Sequence, residues 1–212
     1  MEGTIIRILL GAAGGKSGLL TCISYSFLGF FYSGITPSAT GGQPMQLYEM
    51  KRDGNSVSSS TVVLMVTAVC YKLVLVCIGT FLLIFQGKML RQYLGGYFGL
   101  YLLGLFLNLA ITLVVTGMIV LPQWIIAGAN IFDRLFVKLH LWKASESADR
   151  QEKVRCFVQE YHRAVLFLKE HPGRLAAAFL LTFVQRSSAF VITWLVYCGM
   201  GLFGTNLWLS LI

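Results

Sequence analysis

The sequence predicts an all-α, polytopic bundle of transmembrane helices, and three observations carry that prediction. Only 12% of the 212 residues are charged and 56% are hydrophobic, against about 25% charged in soluble domains; the mean hydropathy is +0.72. Three apolar runs, 61–85, 97–121 and 175–198, reach the roughly 20 residues that a helix needs to cross the bilayer core. The basic residues gather between these runs. A net charge of +8 would suggest nucleic acid in a soluble protein. Here the positive-inside rule and attraction to anionic headgroups account for it, and no nucleic-acid partner is expected.

The first apolar region, 5–31, is long enough to span but is interrupted by Gly11, Gly14, Gly15, Lys16 and Ser17. It reads either as one helix with a weak point or as a short helix followed by a longer one. No secretory cleavage pattern opens the chain, so this segment is expected to be retained. The stretch "GAAGGKS" at 11–17 resembles a P-loop, but only three residues separate Gly11 from Gly15 where the motif needs four.

Next comes "ITPSATGGQPMQ" at 35–46, uncharged and rich in helix breakers. Pro37 and Pro44 block regular helix, and Gly41 and Gly42 allow backbone shapes that other residues resist. Thr36, Ser38, Thr40 and Gln43 can satisfy freed backbone groups or a polar ligand. In hydrocarbon such backbone is tolerated only inside protein or along a wet cavity, and transporters bind substrate at broken segments of this kind. We expect a broken or re-entrant element over Thr36–Pro44, packed inside the bundle beside Lys72 or Arg186. An ordinary interfacial loop is the alternative.

Residues 51–60 follow as a polar loop with a turn at Asp53 and Gly54. Residues 86–96 read as a short connection carrying Lys88 and Arg91. Gly95 and Gly99 form a GxxxG pair suited to close helix packing. The insert 133–174 holds nine Lys/Arg, six Asp/Glu and all three histidines. Phe132, Leu135, Phe136 and Leu139, then Val154, Phe157, Val158, Tyr161, Val165 and Leu168, recur at helical spacing. They predict two amphipathic helices on the membrane surface or against the bundle.

If the three clear runs each cross once, 51–60 and 133–174 share one side. That side carries eleven of the thirteen Lys/Arg compared, and the 86–96 side carries two, so 51–60 and 133–174 are expected to be cytoplasmic. One transmembrane domain over 1–212 is expected, with at least four membrane helices and residues 131–173 as its cytoplasmic amphipathic insert. A last apolar run starts near Leu202 and continues to Ile212, from which we expect the chain to be a fragment.

Two cations lie inside spans: Lys72 in 61–85 and Arg186 in 175–198, the latter beside Gln185, Ser187 and Ser188. An intramembrane charge carries a penalty of roughly 2.5–3.5 kcal/mol on insertion scales, so it faces the protein interior and marks function. No acid occurs within those spans, and Glu49 is the nearest candidate in sequence. A phosphate suits such a cationic interior, and Arg grips it bidentately; snorkelling, or structural pairing with Glu49, is the alternative. Asn108 is expected to link helices. Cys22, Cys70, Cys77, Cys156 and Cys198 form no CxxC pair and read as small apolar residues rather than disulfides or metal ligands. His140, His162 and His171 lack metal spacing and a nucleophile partner. No catalytic constellation, metal or cofactor is expected.

The stretch "FFYSGITPSATGGQPMQLYEMKRDG" resembles the signature region of the lysylphosphatidylglycerol synthase transmembrane family, the flippase-like domain of bacterial multiple peptide resistance factors. The similarity lies in an aromatic helix end, Thr-Pro, a small-residue stretch, Gly-Gly-Gln-Pro, a tyrosine-bearing segment and a basic loop. The following spans and basic insert match at the level of pattern. The resemblance implies a bacterial cell membrane and the movement or presentation of anionic or aminoacylated phospholipid such as lysylphosphatidylglycerol. The candidate lipid-binding residues are Thr36, Pro37, Ser38, Thr40, Gly41, Gly42, Gln43, Pro44, Glu49, Lys72 and Arg186. Two alternatives stand beside this reading. One is the membrane half of a phosphatidylglycerol lysyltransferase, acting with lysyl-tRNA in defence against cationic antimicrobial peptides; the soluble domain that such transfer needs is not in this sequence. The other is a polyprenyl or glycolipid-carrier transporter. A homo-oligomer is compatible with each.

Overall fold

The computed structural model describes residues 1–121 and 147–199. Among them the elements are α1 (Glu2–Ala12), α2 (Leu19–Ile35), a 3-10 turn (Pro37–Ala39), α3 (Gly42–Arg52), α4 (Val57–Leu94), a second 3-10 turn (Gly95–Tyr97), α5 (Phe98–Val120), α6 (Ser147–Glu170) and α7 (Pro172–Gly199), with no strand. The fold is a helical bundle. The first predicted amphipathic helix, around Phe132–Leu139, with His140, and the run from Leu202 lie outside the described residues.

Among the described residues three helices are long and apolar enough to cross a membrane: Val57–Gln92, Gly95–Val120 and Pro172–Val196. The expected fourth, 5–31, resolves into the shorter α1 and α2. Gly14 breaks it with φ of +82°, a conformation that glycine adopts without steric penalty. The two helices then fold back to back. A Cβ at Gly3 would stand 2.8 Å from the backbone of Ile23, so only glycine permits this approach.

α2 and α3 form a helical hairpin. The Tyr25 hydroxyl donates to Asp53 Oδ2 at 2.6 Å, and Asn55 Nδ2 donates to Ser17 Oγ at 3.1 Å. The start of α2 and the end of α3 are thereby held on one side, with the turn between them at the far end. The same Asn55 side chain packs against Gly15, so the loop that resembles a P-loop is filled by protein.

α4 is longer than the apolar run suggests. It begins at an N-cap where Ser56 Oγ accepts the Ser59 amide at 3.1 Å, a bond that satisfies one of the free amides of the first turn. It then continues past a non-helical Gln86 (φ −124°, ψ 20°) as far as Leu94. Residues 86–94 are therefore kinked helix rather than connection, because charge ends an apolar run without ending helix propensity. The Tyr101 hydroxyl donates to the Gly79 carbonyl at 2.8 Å and ties α5 back to α4.

The core surrounds α1. Ile5, Ile6, Leu9 and Leu10 are buried against Cys22, Met50, Val62, Val63, Tyr161, Val165 and Ala178, while Leu100, Leu103, Phe106, Leu107, Leu180, Ile192 and Leu195 stay exposed on α5 and α7. That distribution suits a bundle whose outer helices face lipid. α6 packs against the bundle rather than lying apart from it. Val158, Tyr161, Ala164, Val165 and Leu168 are buried, and Glu152, Arg155, Arg163 and Lys169 face outward. Ser58 Oγ donates within 3.2–3.3 Å of Glu160 Oε2 and the Phe157 carbonyl, so the start of α4 meets α6. Burial pushes the Tyr161 hydroxyl up to about 12, which keeps it a neutral donor facing Met65 Sδ at 3.4 Å.

Candidate ligand cavity

The turn between α2 and α3 satisfies most of its own backbone. Thr36 Oγ1 donates to the Tyr32 carbonyl at 2.6 Å and accepts the Gly41 amide at 2.9 Å. The Ala39 amide reaches the Thr36 carbonyl at 3.1 Å, and Thr40 Oγ1 donates to the Pro37 carbonyl at 3.0 Å. Ser38 and Ala39 are held at φ of 56° and 55°, which costs roughly 1–2 kcal/mol for a residue with a Cβ.

The two glycines have a different use from the one the sequence suggested. Gly41 has an ordinary right-handed φ of −79°, and Gly42 is the first residue of α3. Their value is empty space. A Cβ on Gly41 would stand 2.5 Å from Thr36 Cγ2, and one on Gly42 would stand 2.7 Å from the Gly29 carbonyl and overlap Ser33 Oγ. A Cβ on Gly29 would in turn strike Gln46. Three glycines thus let α3 lie directly on α2.

Where α2 and α3 meet α4 they leave a partly open cavity of about 240 Å³, with Glu2, Ser33, Gln43, Gln46, Thr67 and Tyr71 as its polar lining. Glu2 Oε1 accepts from Gln46 Nε2 at 3.2 Å. Its carboxylate also feels the Arg186 charge and lies near the Tyr71 hydroxyl. Arg186 stacks on the far side of this wall, its guanidinium carbon 4.4 Å from the centroid of the Tyr71 ring. The Tyr71 hydroxyl lies near Glu2 and Gln185 without an aligned hydrogen bond. Three buried polar atoms, Tyr71 Oη, Gln185 Oε1 and Arg186 Nε, have no hydrogen-bond partner among the described residues. Each such atom is costly in an apolar interior unless water or a ligand supplies the bond.

The sequence-derived candidates fall into four groups. Gly42 and Gln43 line the cavity, and Thr36 and Gly41 build the turn above it. Pro37, Ser38 and Thr40 form an exposed tip, and Pro44 is exposed in the first turn of α3, where a missing amide is tolerated. The tip was expected inside the bundle; because Thr36 bonds its backbone locally, it needs no burial among side chains.

Lys72 and Arg186 have separate partners. Lys72 Nζ donates to Asn108 Oδ1 at 3.2 Å, so Lys72 and Asn108 link α4 to α5, while Arg186 belongs to the Tyr71 wall. Glu49 does not pair with Arg186. It is bound by Arg52 at 2.7 Å, with the Glu49 side chain 7% exposed and that of Arg52 65%, as expected for neighbours one turn apart. The carboxylate coupled to Arg186 is Glu2, which sequence reasoning missed. A single acid at the chain start has no local pattern to mark it; only the absence of an acid within the spans hinted that one must come from elsewhere.

Among the described residues no group of three His, Cys, Asp or Glu gathers as a metal site. The family described as "Lysylphosphatidylglycerol synthase TM region" matches residues 3–205. No curated protein and no solved structure gives a significant match to the chain.

Proposed function

The chain belongs to the lysylphosphatidylglycerol synthase transmembrane family, and from that premise we propose that this membrane domain translocates or presents an anionic or aminoacylated phospholipid such as lysylphosphatidylglycerol. The observation that carries this reading is the polar cavity beneath the broken α2–α3 hairpin. It places a carboxylate, two glutamines and three hydroxyls in a largely apolar bundle, with Arg186 behind the Tyr71 ring. A volume of about 240 Å³ equals roughly eight waters at their liquid volume. It accepts part of a headgroup and leaves the acyl chains outside, against the exposed Phe27, Phe30 and Phe31 of α2.

In this scheme Glu2 meets an ammonium group, and Arg186 with the unpaired Tyr71 hydroxyl attracts the phosphate side. An aminoacylated phospholipid carries both groups. Irregular backbone at the hairpin tip marks the kind of place where transporters bind substrate. The orientation that goes with it has 51–60 and 133–174 cytoplasmic.

The test is leaflet-resolved lipid translocation in proteoliposomes that carry fluorescent lysylphosphatidylglycerol, phosphatidylglycerol, phosphatidylcholine or a polyprenyl phosphate. Faster movement of the aminoacylated or anionic phospholipid, lost in Glu2→Gln and Arg186→Gln, is expected. Movement of the polyprenyl phosphate alone would favour a carrier-lipid transporter instead.

A further inference from the structure

A second concavity lies between α1 and the start of α7, apart from the cavity above. It holds about 450 Å³, and its lining includes Arg7, Ile8, Gly11, Gly173, Arg174 and Ala177. Arg7 and Gly11 are four residues apart and share one face of α1. Arg174 reaches that face from α7: its Nη1 would stand 3.4 Å from a Cβ on Gly11. Two guanidinium groups from two helices therefore border one groove. Both arginines are exposed, and among the described residues neither side chain has an ion pair or a hydrogen bond.

Two cations over one concavity repel each other until an anion lies between them. Position and walls indicate which anion. Arg174 is the third residue of the span Pro172–Val196, so it stands where a transmembrane helix enters the headgroup layer. The first turn of α7 adds the positive end of a helix dipole. Ile8 and Ala177 supply apolar wall, and the glycines keep the groove open. A small soluble anion would use only the arginines. A phospholipid uses the arginines for its phosphate and the apolar wall for the start of an acyl chain.

We propose that this groove is a binding site for the phosphate of an anionic membrane phospholipid, gripped by Arg7 and Arg174 and seated over Gly11. It is independent of the translocation reading, because none of its residues lines the α2–α3 cavity.

The test uses the purified full chain in detergent. Lipid retention is measured by native mass spectrometry, and thermal stability is measured with added phosphatidylglycerol, phosphatidylcholine or inorganic phosphate. The wild type is expected to retain phosphatidylglycerol over phosphatidylcholine. Arg7→Gln and Arg174→Gln should each lower that retention about five-fold, as expected for one basic residue at an anionic surface. Gly11→Leu fills the floor at an exposed helix position without altering charge, and it should lower retention in a chain that still folds. Arg91→Gln removes a cation that faces Phe98 instead and should leave retention unchanged. Three results would overturn the proposal: wild-type retention in the Arg7→Gln, Arg174→Gln double variant; an equal loss in Arg91→Gln; or inorganic phosphate stabilising the protein as well as the lipid does.

Discussion

Thr36 and Gly41, five residues apart, are joined through a side chain, where an α-helix would have bonded the Gly41 amide to the Pro37 carbonyl. Thr36 Oγ1 accepts the Gly41 amide at 2.9 Å while donating to the Tyr32 carbonyl at 2.6 Å. One hydroxyl therefore closes the gap left between α2 and α3, where the helical bonds of both have ended.

Thr36→Val removes both bonds and keeps the shape. The loss should be about 1–3 kcal/mol, because a partly buried amide and carbonyl lose their shared partner. Thr36→Ser keeps the hydroxyl and should stay near wild type. Thermal unfolding of the two purified variants checks this, and equal melting temperatures would remove the hydroxyl from the account of the turn.

Ala39 offers the opposite experiment. Its φ of 55° is a left-handed conformation that a Cβ makes unfavourable. Ala39→Gly should relieve that strain and raise stability by up to about 1 kcal/mol, less what the more flexible unfolded chain takes back. If the strain assists the movement of substrate past the tip, the same variant should be more stable yet slower in translocation. Stability and transport measured on one preparation separate the two effects.

The contact of Ser58 with Glu160 and the Phe157 carbonyl requires that the start of α4 and the middle of α6 lie on one side of the membrane. In the orientation proposed above, that side is cytoplasmic. Cys156 is exposed on α6 and provides a native probe. An impermeant maleimide should miss it in intact cells and label it in inverted vesicles, and Lys51→Cys in a Cys156→Ser background should behave the same way. Labelling of both in intact cells would reverse the orientation; labelling of one alone would contradict the shared side.

What was legible in the sequence was what composition and local chemistry encode. The long apolar runs became α4, α5 and α7, and the breakers at 35–46 became a break. The outward face of α6 could be read from Arg155, Arg163 and Lys169, and its inward face from Val158, Tyr161, Val165 and Leu168. What could not be read depends on distance through space. Gly41 and Gly42 suggested unusual backbone, yet they serve close contact with Thr36, Ser33 and Gly29, and sequence does not tell these uses apart. Gln86, Lys88 and Arg91 suggested a loop because charge ended the apolar run, although these residues continue a helix readily. Glu49 was the nearest acid to Arg186 by pattern alone, and folding gave it to Arg52 while bringing in Glu2 from the chain start.

That exchange of partners changes the decisive experiment at Arg186. No direct ion pair joins Arg186 to Glu2, but the two charges are coupled. Arg186→Gln removes an intramembrane charge that carries a penalty of roughly 2.5–3.5 kcal/mol on insertion scales, so insertion should be no worse than wild type. It also removes one of the two positive charges near the Glu2 carboxylate, the other being the amino terminus, which should destabilise the folded bundle by at most about 1 kcal/mol. Glu2→Gln combined with Arg186→Gln should recover that loss, whereas Glu49→Gln combined with Arg186→Gln should not, because Glu49 is bound by Arg52. Translocation discriminates further. If Arg186 draws a lipid phosphate toward the cavity, the Glu2→Gln, Arg186→Gln protein should be stable yet inactive. Arg186→Lys should regain part of the activity, since Lys keeps the charge without the planar fork. Tyr71→Phe keeps the ring under the guanidinium and deletes only the unpaired hydroxyl. It should therefore leave stability unchanged or slightly higher while lowering transport, if that hydroxyl serves the headgroup. Full transport in the stable double variant would remove the phosphate role from Arg186 and leave the Glu2–Arg186 pair as structure alone.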